Sequence, residues 1–482
     1  MMRRMSVHRR IVLGAGLAAI TAVVTGCREQ SAPSTAEAGA ATGSPAGPTA
    51  TNGPGAVNGP GGGASASASG APSPGASASA SAVPGSSAGT STGGDLVGQA
   101  GIGGPSPLGR ALTAELSRHL EPNAQNPKHP GYAGAVAYCQ IDGSLFARAS
   151  VGKALRYDAG PVLLPESKQV AMRHDSIFDT ASLTKVFTAI LTLQQVDAGR
   201  IALDGPVVDY LPGFAGPGKD KITVAMLLAH TSGLPVGAKV TGLPDDAARR
   251  AAVLATPLIK GATPGTVFRY SSVGLMVAAQ LVEHVTGQRL DKALKSGITG
   301  PLGLRDTGFN PKTWLSATDQ ANRLVATDAR SSRGLLRGTV HDDVANHLGG
   351  IAGHAGIFST AADLTVIGQL LLDGGTYQGT RILSEAITKQ MVSNVNRGLP
   401  AVDAERPNRT SDHGLGVVLN QPWFMGKLAT GRTFGHTGFT GTSLLVHPAS
   451  RMVLVLLTNR AHPNWSWANP DPVRVAVANL CA

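Results

Sequence analysis

The sequence predicts an α+β fold: an antiparallel sheet built from both ends of a domain, flanked by helices, with a mainly helical subdomain inserted between. Three observations lead there. Alternating apolar segments joined by a short turn occur at 134–151 and again at 443–457. Apolar stripes at helical spacing fill 182–198, 223–230, 272–286 and 361–373 between them. No internal repeat is visible, which excludes a solenoid.

Taken in chain order, residues 1–26 have the pattern of an export signal. Arg3, Arg4, Arg9 and Arg10 precede an apolar run, Ile11 to Val24, that is too short to span a bilayer. It ends in Val24-Thr25-Gly26-Cys27, which resembles a bacterial lipobox, where the Cys is lipidated and becomes the first mature residue. The sequence leaves an ordinary signal with an incidental Cys27 as the alternative, and it leaves Sec and Tat export open, since Arg9-Arg10 loosely resembles a twin-arginine motif. The expected location is the outer face of the cell membrane, held by the Cys27 lipid.

Residues 27–105 begin with Cys27 and continue as an Ala/Gly/Ser/Pro/Thr tract. The first aromatic residue of the chain is Tyr132, so this tract has no means of building a core. It is expected to be a disordered tether whose r.m.s. reach is roughly 50 Å, from ~5–6 Å × √n. The domain is expected over 106–482. The whole chain is +11; four of those charges are the signal arginines, and the 28–105 tract is −2, so the domain is +9. Its cations are scattered, with no run of five, so no nucleic-acid partner is expected. The expected partners are a small-molecule or peptide substrate and, through the anchor, the membrane; the domain itself is expected to be a monomer.

Within the domain, Leu108, Leu112, Leu116 and Leu120 give a helix over 107–121. Strands follow at 134–140 and 145–151 across Asp142-Gly143, a favoured hairpin turn. The last hairpin pairs 443–447 with 452–457, and 466–480 can close the chain as a helix. Cys139 and Cys481 either pair as a disulfide in an oxidising compartment or sit as a buried small side chain and a chain end.

Three constellations carry chemistry. The first is Ser182-Leu183-Thr184-Lys185 at the start of helix 182–198. A serine there meets unpaired N–H groups and the positive end of the helix dipole. Lys185, one turn on, can bring its amine to the hydroxyl and take its proton. A second Ser-x-x-Lys, Ser150 to Lys153, lies in strand sequence with Gly152 inside and is taken as chance. The second constellation is Tyr270-Ser271-Ser272 before helix 272–286, where a phenolate beside a lysine is a competent general base. The third is His436-Thr437-Gly438-Phe439 before strand 443–447, a Gly-rich edge that can give a backbone N–H, near Phe439, to an oxyanion.

Their order and spacing resemble the serine beta-lactamase and penicillin-binding protein family, most closely its class C branch. That branch includes D-alanyl-D-alanine carboxypeptidases and family-eight esterases. The segments Gly199–Asp204, Ile222–Pro235 and Gly349–Leu364 are similar as well, so the resemblance covers 107–482. It implies a sheet-plus-helical-domain fold and an acyl-serine hydrolase that needs no metal or other cofactor. It also implies Ser182 as nucleophile, Lys185 as its activator and Tyr270 as proton shuttle, with Ser272, His436, Thr437, Gly438 and Phe439 binding substrate. Two departures stand out. Ser272 replaces the usual Asn, and His436 replaces a Lys that draws the ligand carboxylate and lowers the Tyr pKa. These departures put efficient beta-lactam hydrolysis in doubt and leave a second reading, a penicillin- or peptidoglycan-binding lipoprotein that acylates without turnover. His341, Asp342, Asp343, His347 and His354 fit no helical metal-ligand spacing. His341 and Asp342 are expected to line the cleft rim, and Thr360 with Asp363 reads as a capping box.

Overall fold

The computed structural model describes residues 106–404 and 406–482. The signal, Cys27 and the tether lie outside the described residues. The two ends of the domain build one sheet, as expected. Its strands are β1 (Gly134–Ile141), β2 (Ser144–Leu155), β3 (Val170–Ala171), β4 (Val418–Leu419), β5 (Phe434–Thr437), β6 (Ser443–His447) and β7 (Met452–Thr458). Their order across the sheet is β4-β5-β6-β7-β1-β2-β3, with every neighbour antiparallel. The β1–β7 pairing joins the two ends, with Cys139 opposite Leu454. Asp142 and Gly143 turn the first hairpin at φ +53° and +77°, the left-handed pair that a two-residue turn requires.

Strand alternation splits the interior into two layers. Ala135, Ala137 and Cys139 face one cluster together with Leu454 and Leu456. There they meet α1 (Pro107–Ser117), through Leu112 and Leu116, and the final helix. Val136, Tyr138, Val453 and Val455 face the other, larger cluster. That one is filled by α2 (Thr184–Asp197), α3 (Val224–Leu228), α4 (Ser272–Thr286) and α5 (Ala361–Leu372). The three sequence motifs around Ser182, Tyr270 and His436 therefore lie along the seam between the sheet and the inserted helices.

Several boundaries differ from those expected of the sequence. The first helix ends at Ser117, so Leu120 lies beyond it. The final helix α6 (Asp471–Leu480) starts five residues later than expected, because Pro470 and Pro472 suit a first turn and Trp465–Trp467 form a separate 3-10 turn. Cys139 and Cys481 are both buried thiols of the same cluster. The capping box is half made. Thr360 accepts the Asp363 N–H at 3.2 Å, but the Asp363 carboxylate turns away to Thr307 Oγ1 (2.7 Å) and the Asp306 N–H (3.2 Å). Burial pushes that carboxyl up to about 6. Ser150 and Lys153 sit on β2, where residues three apart point to opposite faces.

Gly368 shows how closely helix and sheet approach. A Cβ on it would lie 2.4 Å from Val453 Cγ1. Helix propensity alone favours Ala over Gly by about 1 kcal/mol. Gly368→Ala is nevertheless expected to destabilise the domain by about 1–3 kcal/mol through overpacking, read as a lowered midpoint in chemical denaturation.

Candidate active site

Ser182 does not open a regular α-helix. A 3-10 turn, Ala181–Leu183, runs directly into α2. Ala181 has φ +48°, a left-handed conformation uncommon outside Gly. This strained residue is tied down from several sides. The fully buried Asp179 carboxylate accepts the Ala181 N–H (2.9 Å) and, through its other oxygen, the His341 N–H (2.7 Å). Thr440 Oγ1 donates to the Asp179 carbonyl (2.8 Å) and Thr442 Oγ1 to the Thr180 carbonyl (2.9 Å). Thr180 Oγ1 in turn donates to the Ile357 carbonyl (2.7 Å). Asp179 itself lies in a small sheet whose middle strand is Ile357–Ser359.

Within this frame Lys185 Nζ stands 2.9 Å from Ser182 Oγ and 3.0 Å from the His354 carbonyl. Lys185 has no exposed surface, whereas Ser182 is half-buried and open to a ligand. The amine also lies 5.0 Å from the centre of the Tyr270 ring. The sequence motifs containing Ser182, Lys185 and Tyr270 therefore converge. An amine and a hydroxyl in direct contact can exchange a proton, and a phenol beside them can carry one onward.

The third motif also reaches the site. Gly438 packs against the turn before Ser182: a Cβ there would sit 2.1 Å from Thr442 Oγ1, 2.4 Å from the Thr180 carbonyl oxygen and 3.3 Å from Ala181 Cβ. Only Gly allows that approach. The backbone N–H groups of Ser182 and Phe439 thus belong to adjoining stretches. Among the described residues neither donates to another protein group, as a pair of oxyanion donors requires. Thr437 is partly open, and the Phe439 side chain is 45% exposed.

His436 and Ser272 are set deeper than the sequence suggests. His436 is buried, with its ring centre 6.4 Å from that of Tyr270. Its Nδ1 donates to the Thr437 carbonyl (2.8 Å), which leaves Nε2 as an acceptor with no partner among the described residues. Burial, then the Lys185 charge, holds its pKa well below the usual histidine value. Ser272 is the first residue of α4 and nearly buried, while Ser271 is the cap, accepting the Gly274 N–H at 3.0 Å.

Sequence reasoning missed the support behind Tyr270. His230 Nδ1 accepts the Ser271 N–H (3.1 Å), and its ring packs on Tyr270 (4.6 Å between centres) and His413 (4.9 Å). Burial keeps His230 neutral, with the nearby His413 and Lys185 adding to the effect; burial also pushes His413 down to about 3. The Ile222–Pro235 resemblance contained His230, but nothing in it placed the ring against Tyr270. The His341–His354 block does not gather into one cluster. His354 Nε2 pairs with Asp342 Oδ1 (2.9 Å), and His341 Nε2 lies 3.2 Å from Asp328 Oδ2. Asp342 also caps the helix Asp343–His347. The block's part in the site is the His354 carbonyl behind Lys185 and the His341 N–H on Asp179.

The sequence model of the family described as Beta-lactamase matches residues 123–479. A protein of Escherichia coli (strain K12) assigned the name D-alanyl-D-alanine carboxypeptidase is 31% identical over 364 residues, covering 69% of this chain and 79% of the relative. An N-acetylmuramyl-L-alanine amidase of Bacillus subtilis (strain 168) is 30% identical over 380 residues, covering 73% and 83%. Among solved structures, the D-amino acid amidase from Ochrobactrum anthropi SV3 shares the fold at TM-score 0.56 and 21% identity, covering 78% of this chain and 99% of that one.

Two outcomes follow from this geometry. Asp179→Ala strands two buried N–H groups and frees the Ala181 turn. It is expected to lose about 2–4 kcal/mol of stability and at least tenfold in the rate of Ser182 acylation. Denaturation and active-site labelling read the two losses separately. Second, His230, His413 and His436 are neutral when folded and titrate near 6.5 when unfolded. Below that pH the unfolded chain binds more protons, so stability falls with acid, by about 1.4 kcal/mol per pH unit for each histidine kept neutral. Urea unfolding at a series of pH values between 4 and 7 measures that slope.

Proposed function

The chain belongs to the beta-lactamase family of serine hydrolases, and from that premise we propose that it is an exported, lipid-anchored enzyme cleaving an amide or ester of a cell-wall-related substrate through an acyl-serine intermediate. The observation that carries the reading is the buried Lys185 amine 2.9 Å from Ser182 Oγ, beside Tyr270. In this reading Lys185, in its neutral form, takes the Ser182 proton as Oγ attacks the substrate carbonyl carbon. The oxyanion is held by the N–H groups of Ser182 and Phe439. Tyr270 passes a proton to the departing amine or alcohol, then accepts one from the water that attacks the acyl-serine. The enzyme and both protons are restored when the acid leaves.

The names of the two curated relatives concern bonds to alanine in cell-wall material, which favours a D-alanyl peptide or related amide as the substrate class. A lipidated Cys27 with a flexible tether would hold such an enzyme at the membrane as a monomer within reach of the wall. The neutral, buried His436 supplies no cation for a ligand carboxylate, which argues against efficient beta-lactam turnover.

A fluorophosphonate or fluorescent penicillin probe tests the nucleophile: labelling is expected in the native domain and absent in Ser182→Ala. Labelling that survives this change defeats the reading. Lys185→Met is expected to slow acylation by about 10²–10⁴-fold, the range of general-base effects. Multiple turnovers of a D-Ala-D-Ala peptide or p-nitrophenyl butyrate, with slow or no turnover of nitrocefin, are expected. Stoichiometric acylation without turnover on every substrate would instead favour the binding-protein reading.

A further inference from the structure

Arg474, on α6, is a buried cation far in sequence from all three motifs, with a side chain only 3% exposed. Its Nη2 donates to the Gly438 carbonyl (2.7 Å) and to the Thr442 carbonyl (3.0 Å). Its Nη1 donates to Asp471 Oδ1 (2.8 Å), and Asp471 Oδ2 also binds Arg406. The two carbonyls belong to a turn that is already closed on itself, by Gly438 N–H to Thr442 (2.8 Å) and Gly441 N–H to Gly438 (3.0 Å). One guanidinium nitrogen thus bridges the two carbonyls that define the turn.

The Gly438 carbonyl and the Phe439 N–H are the two ends of one planar peptide group. Fixing the oxygen fixes the plane, and so fixes where the N–H points. A charged donor on the oxygen also polarises the peptide and makes its N–H a stronger donor. We propose that Arg474 is a positioning residue for the acyl-transfer reaction: it orients and polarises the Gly438–Phe439 peptide, which donates to the oxyanion. The inference rests on the acyl-serine reading above. The guanidinium touches no substrate. Burial lowers its pKa to about 10, and Asp471 opposes that shift, so it stays charged at neutral pH.

This role differs from simple packing in what it predicts. An oxyanion donor acts in the transition state, and removing one outright costs about 10²–10³ in kcat. Arg474→Met loosens and depolarises the donor without deleting it, so kcat is expected to fall about ten- to hundredfold. KM should stay within about threefold. Affinity for a boronic acid, whose tetrahedral adduct on Ser182 carries the same negative charge, should fall by the factor seen in kcat. Arg474→Lys keeps the charge but not the fork, and should fall between Met and native. Independently of any activity, hydrogen exchange over 438–442 should quicken in Arg474→Met, while β1 and β2 stay protected.

The proposal is overturned if a folded Arg474→Met keeps kcat and boronate affinity within threefold of native, or if KM alone rises. It is equally overturned if kcat falls while boronate affinity and exchange in the turn stay native. Should Arg474→Met not fold, Arg474→Lys takes its place: a fall in kcat matched by boronate affinity, with faster exchange over 438–442, supports the proposal, and native exchange in that turn together with native kcat overturns it. Loss of the acyl-serine reading is recognised separately, by labelling that persists in Ser182→Ala, and the exchange result would still report whether Arg474 holds the turn.

Discussion

The site depends on one amine kept out of water. Lys185 has no solvent-exposed surface, and its Nζ reaches Ser182 Oγ, the His354 carbonyl and the face of Tyr270. Such burial is unfavourable unless polar partners replace hydration. They come from three distant parts of the chain, so the amine draws residues 182, 270 and 354 into one place. Its charge also shapes its neighbours. His230, His354 and His436 are each held below the usual histidine pKa mainly by burial, with Lys185 contributing in all three.

Around that amine the fold supplies rigidity where the backbone is least comfortable. Ala181 at φ +48° would relax in a loose loop. Asp179 holds its N–H, Thr440 and Thr442 fasten the flanking carbonyls, and Gly438 lies flush against the turn. Ser182 is therefore clamped between the small sheet containing Asp179 and the end of β5 in the main sheet. A hydroxyl fixed in this way need not be reorganised when it attacks. The same clamp brings the Ser182 and Phe439 N–H groups into adjoining backbone, which no single element could do.

Much of this was legible in the sequence, and the reasons are local. The hairpin at Asp142-Gly143 follows from turn chemistry, and α4 over 272–286 from its apolar stripe. The two strand pairs at opposite ends pointed to a shared sheet because neither could cover its own apolar face. Ser182 and Lys185 were readable because their spacing is set within one helical turn. What escaped were contacts made by side chains whose meaning depends on distant backbone. Arg474 in a C-terminal helix looks like a surface cation until its partners at 438 and 442 are known. Thr440 and Thr442 look like strand residues, and Asp363 like half of a capping box, although its carboxylate serves Thr307 instead. The depth of His436 was invisible too, since a four-residue strand gives no sign of what covers it.

That depth changes what the third motif contributes. An exposed lysine there would offer charge to a ligand and to Tyr270 alike. His436 offers neither: its Nδ1–H is used by its own strand at Thr437, its Nε2 has no partner among the described residues, and its ring lies near Tyr270, which packs on His230. In the proposed reaction, stabilisation of negative charge then comes from the oriented peptide N–H groups at 182 and 439, the latter backed by Arg474, and from Lys185 once it has taken the Ser182 proton. Such a site stabilises charge that develops on a carbonyl oxygen more than charge that a substrate brings with it. That is the electrostatic profile of an acyl-transfer centre built around the transition state rather than around an anionic ligand.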